Sequence, residues 1–129
     1  MIGIVILAAG NGSRLNSRNP KPLVPLLGTP MIGHIIAKIP HSLPVYIIAN
    51  PKHTETFSAL FPKATLLSQN IPRGTGHALT ENNKALQHLS HVIILNADTP
   101  LIPASIFNTL IQDPRDNILV GFESSNPEA

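Results

Sequence analysis

The stretch that decides the fold is IGIVILAAGNGSRLNSRNPKPLVP, residues Ile2 to Pro25. Its first six residues, Ile2 to Leu7, form an aliphatic run of the length of one buried strand. The run gives way at Ala8-Ala9-Gly10 to residues with almost no side chain, then to Asn11-Gly12-Ser13. Three cations follow, Arg14, Arg18 and Lys21. A strand that delivers bare backbone N–H groups to a place where positive charge gathers suits an anionic ligand, most simply a phosphate chain. The loop is neither of the familiar phosphate motifs. Gly10-Asn11-Gly12 gives G-x-G, but Leu15 stands where a dinucleotide-binding loop has its third glycine, and no G-K-[ST] follows. An ordinary strand-to-helix turn with a solvated Arg14 also accounts for the glycines. Lys21, returned toward the loop by Asn19-Pro20, is what packing alone does not explain.

Beyond this stretch, strand and helix patterns alternate. Pro22 to Leu27 reads as irregular, and Thr29-Pro30 as a cap plus first helical residue for a helix ending before Pro40. Val45 to Ala49 is a second strand. Asn50-Pro51 repeats the cap signal before a short helix carrying Phe57, Leu60 and Phe61, and Thr65 to Ser68 is a third, weaker strand. Thr75 caps a helix expected to run to Leu89, His91 to Leu95 is a fourth strand, Pro103 to Ile111 a helix and Asn117 to Phe122 a fifth strand. Strands one and four are continuous apolar runs, which argues for a mainly parallel sheet covered on both faces. The expected fold is therefore a Rossmann-like three-layer α/β/α sandwich. In such folds ligands bind beyond the carboxyl ends of the strands, where strand order reverses. Three loops belong at that rim: Ala8 to Lys21, Gln69 to Gly76 and Asn96 to Pro100.

Composition narrows the partners. The chain has 129 residues, 43% hydrophobic and 12% charged, which describes one compact domain. A net charge of +2 with scattered cations, four Phe and one Tyr gives no nucleic-acid footprint. With no cysteine there is neither a disulfide nor thiolate chemistry, which is compatible with a reducing, cytoplasmic setting. No basic segment precedes the apolar start, so a signal peptide is not expected, and no stretch approaches the roughly 20 apolar residues of a membrane span.

Asp98, directly after the fourth strand, is placed to bind a divalent metal shared with a phosphate, or else to cap the following turn. In Arg73-Gly74-Thr75-Gly76-His77 the glycines permit close approach of a base or ribose, and His77 reads as a packed helix residue. The other histidines show no ligand spacing, and no nucleophile–base constellation is present.

Together, LAAGNGSRL (Leu7–Leu15), PKPLVPLLGTPMI (Pro20–Ile32), QNIPRGTGHAL (Gln69–Leu79) and LNADTPLI (Leu95–Ile102) resemble the signature of the sugar-phosphate nucleotidylyltransferases. The similarity is greatest to the uridylyltransferase domains of bacterial bifunctional enzymes that make UDP-N-acetylglucosamine. That resemblance implies a fold of the nucleotide-diphospho-sugar transferase type, truncated, with residues 1–129 as its nucleotide-binding part. It implies transfer of UMP from UTP to a sugar 1-phosphate, N-acetylglucosamine 1-phosphate being the expected one, with release of pyrophosphate. Arg14 and Lys21 would be the catalytic cations. Leu7, Ala8, Ala9 and Gly10 would present backbone to the nucleotide, Gln69, Gly74 and Thr75 would read uracil, and Asn96 and Ala97 would line the same site. Asp98 would hold Mg²⁺. The expected partners are UTP and the sugar phosphate, with neither nucleic acid nor membrane, and with self-association or a partner chain supplying the sugar-binding half.

The sequence departs from that family at Asn11, where lysine is usual, at Asn96-Ala97, which replaces an aromatic-glycine pair, and at Ile71-Pro72-Arg73, a segment that usually carries glutamine. The alternatives are a non-catalytic nucleotide-binding module and a guanylyl- or cytidylyltransferase.

Overall fold

The structure, a computed structural model, describes residues 1–10 and 19–121. The chain runs through β1 (Ile2–Leu7), β2 (Pro25–Leu26), β3 (Thr29–Pro30), α1 (Met31–Ile36), β4 (Val45–Ala49), α2 (Thr54–Leu60) and β5 (Thr65–Ser68). It continues through α3 (Thr75–Glu81), α4 (Asn83–Leu86), β6 (His91–Asn96) and α5 (Ser105–Gln112). Four strands form one sheet in the order β5-β4-β1-β6, and every pairing is parallel. The aliphatic opening strand is thus central. Its Leu7 lies in register with Ile48 on one side and Asn96 on the other.

Helices cover both faces, as the continuous apolar runs require. On one face Ile4, Ile6 and Ile47 pack with Ile32 and Ile35 of α1, Phe57 of α2 and Phe107 of α5. On the other, Val5, Tyr46 and Ile48 pack with Ala78 of α3 and Leu86 of α4. Full burial of each such aliphatic side chain contributes about 1.5–3 kcal/mol, so this strand pattern commits the chain to the layered fold. The expected three-layer α/β/α arrangement is what forms. The cover is incomplete at one edge: β6 is last in the sheet, and Val92 and Ile94, on its α3/α4 side, remain exposed. The fourth strand is therefore buried on one face, not two.

Local elements differ from the sequence reading in four places. Pro22 to Leu27 is not irregular, because Lys21–Leu23 makes a 3₁₀ turn and β2 pairs antiparallel with β3. Leu27 (φ 51°) and Gly28 (φ 83°) supply the two left-handed residues of that tight hairpin. Thr29 is consequently a strand residue, and α1 starts one residue later than expected, with Pro30 in extended conformation (ψ 140°) as its cap. The helix after Thr75 starts at Thr75 itself, behind Gly74, and breaks at Asn82 instead of running to Leu89. The Asn82 side-chain amide donates to the Ala78 carbonyl at 2.9 Å and the Ser68 carbonyl at 3.0 Å, so it competes with the helix ladder and ties the break to β5. Finally, Asn117 to Gly121 forms no strand; Leu119 is 97% exposed. An extended, β-prone segment becomes a strand only where an edge pairs with it. Phe122 lies outside the described residues.

The β4–α2 junction agrees with the reading more closely. Asn50 Oδ1 accepts from the Lys52 N–H at 3.0 Å and starts a 3₁₀ turn that leads into α2. Phe57, fully buried, then locks α2 onto the sheet. Phe57→Ala is expected to cost about 3–5 kcal/mol, read as a lower urea midpoint with an unchanged slope.

Candidate functional site

Strand order reverses at the β1–β6 pair, since the chain builds outward from β1 through β4 and β5 and then returns to add β6 on the opposite side. The described residues that follow these two strands border a crevice at the strands' carboxyl ends. A cavity of about 460 Å³ occupies it, within the roughly 300–1,000 Å³ range of small-molecule sites.

Its floor comes from β1. Leu7, Ala8, Ala9 and Gly10 all line it, the small residues keeping the backbone close to whatever enters. The Ala8 N–H is taken by the Ile48 carbonyl at 2.8 Å, which carries the sheet pairing one residue past the strand. Among the described residues the Ala9 and Gly10 N–H groups have no backbone acceptor. Gly10 does not have a positive φ, and among the described residues a Cβ there would meet nothing within 4 Å. Neither its φ nor packing against the described residues calls for glycine at this position.

One wall comes from the segment after β5. Gln69 is 4% exposed, the one buried polar side chain among the described residues, and lines the cavity with Gly74, Thr75 and Pro72. Gly74 sits at φ +96°, a conformation that favours glycine, and this bend turns the chain into α3. The Gln69 amide nitrogen donates to the Gly74 carbonyl at 3.3 Å, so the two residues expected to read a base hold each other.

The opposite wall follows β6. Asn96, Ala97 and Asp98 line the cavity, with Ala97 buried and its N–H bonded to the Leu7 carbonyl at 3.1 Å. Thr99 folds back on Asn96 through its hydroxyl at 2.8 Å, and Lys38 Nζ of the turn after α1 holds the Pro100 carbonyl at 2.7 Å. These bonds fix the turn that carries Asp98. Across the opening, Lys21 Nζ meets Asp98 Oδ2 at 3.0 Å. The two side chains are 39% and 47% exposed.

Of the residues picked out from sequence, every described one borders this single cavity; Arg14 lies outside the described residues. Sequence reasoning missed Ile48, a mid-sheet residue with no local signal, and Pro22, Pro72 and Ala78. It also missed the pairing of Lys21 with Asp98 across 77 positions. Lys21 and Asp98 are the only charged side chains among the described lining residues. Among the described residues no group of three His, Cys, Asp or Glu side chains converges on a metal position, and no helix is long and apolar enough to cross a membrane.

A strand-1 loop of small residues, a buried amide on one wall and a paired lysine and aspartate on the other form a nucleotide-sized crevice. The chain belongs to the MobA-like NTP transferase domain family, whose model matches residues 4–126, so this is a nucleotidyltransferase domain. Among its relatives are two bifunctional GlmU proteins. That of Paracoccus denitrificans is 33% identical over 98% of this chain, and that of Francisella philomiragia 35% identical over 92% of it. The resemblance drawn from the motifs is thereby borne out. The chain spans 30% and 27% of the length of these two relatives. The solved structure of CMP:2-keto-3-deoxy-manno-octonic acid synthetase complexed with CTP matches with a TM-score of 0.64 at 25% identity, over 86% of this chain and 46% of that one.

An ion pair this exposed contributes little to stability, because water screens it and two long side chains lose freedom in making it. Asp98→Asn is therefore expected to move the unfolding free energy by less than about 1 kcal/mol, measured by urea denaturation. A larger loss would make the pair a structural element.

Proposed function

We propose that this chain is the nucleotide-binding part of a UTP-dependent sugar-1-phosphate nucleotidylyltransferase. The observation that carries the reading is the cavity's lining: bare backbone, one buried amide, and Lys21 and Asp98 as its only charged groups among the described residues. A phosphate oxygen of the sugar 1-phosphate attacks the α-phosphorus of UTP. The bond from that phosphorus to the bridging oxygen of the β-phosphate breaks, and pyrophosphate leaves with the electron pair. The nucleophile is already an anion, so no protein base is required; positioning and charge stabilisation suffice. A cavity with a cation but no His, Cys or Ser among its described lining residues suits that chemistry.

In this reading Ala9 and Gly10 offer their N–H groups to the phosphates, and Gln69, Gly74 and Thr75 face the base. Asn96 and Ala97 border the same nucleotide. Lys21 leaves Asp98 for the phosphate chain and stabilises charge as the α-phosphorus reacts. Arg14 joins it as the second cation. Asp98, half exposed with one oxygen not engaged by Lys21, fits a magnesium ion that arrives with its nucleotide, since Mg²⁺ commonly takes one or two carboxylates plus substrate phosphates. When bound, that ion would neutralise phosphate charge. N-acetylglucosamine 1-phosphate is the acceptor to test first, given the GlmU relatives. A nucleoside triphosphate substrate implies a cytoplasmic location, and self-association or a partner chain would supply sugar contacts. A non-catalytic nucleotide-binding module is the second reading, favoured by Asn96-Ala97 standing before Asp98 in place of an aromatic-glycine pair.

Pyrophosphate release from UTP and N-acetylglucosamine 1-phosphate with Mg²⁺ is the test. Lys21→Ala is expected to lower turnover by about 10²–10³-fold, and Asp98→Asn to lower turnover and raise the Mg²⁺ concentration needed for half the maximal rate. Binding of UTP without turnover with any sugar 1-phosphate would favour the module. Absence of UTP binding would sink both readings.

A further inference from the structure

Gln69 has a neighbour that the nucleotidyltransferase reading does not use. Its amide nitrogen lies 3.3 Å from the Gly74 carbonyl and 3.2 Å from Nδ1 of His77, in the first turn of α3. The Gly74 carbonyl can only accept, so the NH₂ side of the amide must face it. The same nitrogen then donates its second hydrogen to His77, whose Nδ1 must accept and whose ring proton must sit on Nε2. Glu81 Oε2 is 3.7 Å from Nδ1, beyond hydrogen-bond reach, and its other oxygen accepts from Asn70 at 3.2 Å. His77 itself is not part of the cavity lining; it stands behind Gln69.

We propose that His77 is a specificity-determining positioning residue: by taking the second amide hydrogen of Gln69 it leaves Oε1 as the only hydrogen-bonding atom of that amide free for the cavity. A free amide can turn either end to a base. Held from behind by Gly74 and His77, it offers an acceptor alone. An acceptor pairs with the N3–H of uracil, and opposes the lone pair on N3 of cytosine. A buried site that presents the wrong half of an amide leaves polar groups unpaired, which is where base discrimination arises. The inference rests on the proposed uridylyltransferase reading and names the device that would choose its base.

The experiment compares UTP with CTP binding by calorimetry in the intact chain, in His77→Leu and in His77→Asn. His77→Leu removes the acceptor, whereas Asn can return an oxygen near the position of Nδ1. The expected result is a UTP preference in the parent, its reduction about tenfold in His77→Leu, and its recovery in His77→Asn. An unchanged UTP-to-CTP ratio in His77→Leu overturns this inference and leaves the nucleotide reading standing. Loss of the preference in both variants alike assigns His77 a packing role and overturns it too. No nucleotide binding by the parent overturns the underlying reading and the inference with it. Independently of either variant's folding, ¹⁵N spectra of the parent's imidazole should show an unprotonated Nδ1 and a protonated Nε2. The opposite tautomer overturns the proposal.

Discussion

Everything in this molecule depends on β1 being paired in parallel on both sides. Leu7 is held between Ile48 and Asn96, and the pairing continues past the strand through the Ala8 N–H to Ile48 and the Ala97 N–H to Leu7. Those two bonds bring the Ala8–Gly10 backbone and the Asn96–Asp98 turn to the same height at the sheet's carboxyl edge. Because strand order reverses there, a crevice opens between these two segments. The cavity is thus a by-product of topology. Its residues are small where the backbone must be close, and polar only where a side chain is needed.

The charged pair at the mouth is loosely held. Lys21 and Asp98 neutralise one another at 3.0 Å while remaining substantially exposed, which makes the contact cheap to break. In the function proposed above, a triphosphate with its metal is what would part them. The buried wall is built the opposite way. Gln69, 4% exposed, is fixed by backbone and by an imidazole, because a buried amide left unpaired is costly whereas a surface ion pair is not. The exchangeable contact therefore lies at the mouth, and the fixed contacts lie in the buried wall.

The sheet's two edges are unequal. β5 is short, four residues, whereas β6 is long and carries Val92 and Ile94 exposed on one face. Family relatives extend well beyond the length of this chain, of which the P. denitrificans GlmU is an example.

From the sequence alone, the strand pattern was legible because the apolar runs at Ile2–Leu7, Val45–Ala49 and His91–Leu95 have few other ways to bury themselves. The rim loops were legible because Gly10, Gly74, Lys21 and Asp98 are poor choices for packing. Helix ends were read less well: Asn82 breaks α3 through bonds to Ala78 and Ser68, and the second of these partners exists only once β5 is in place. Asn117 to Gly121 has strand-like residues and no strand, since pairing is a property of two segments and not of one. The same holds at the site. Residue types announced a phosphate-friendly loop and a lone carboxylate. Only the tertiary structure brought Lys21 to Asp98 across 77 positions and set His77 behind Gln69, because hydrogen-bond partners are fixed by distance in space, which the order of residues does not encode.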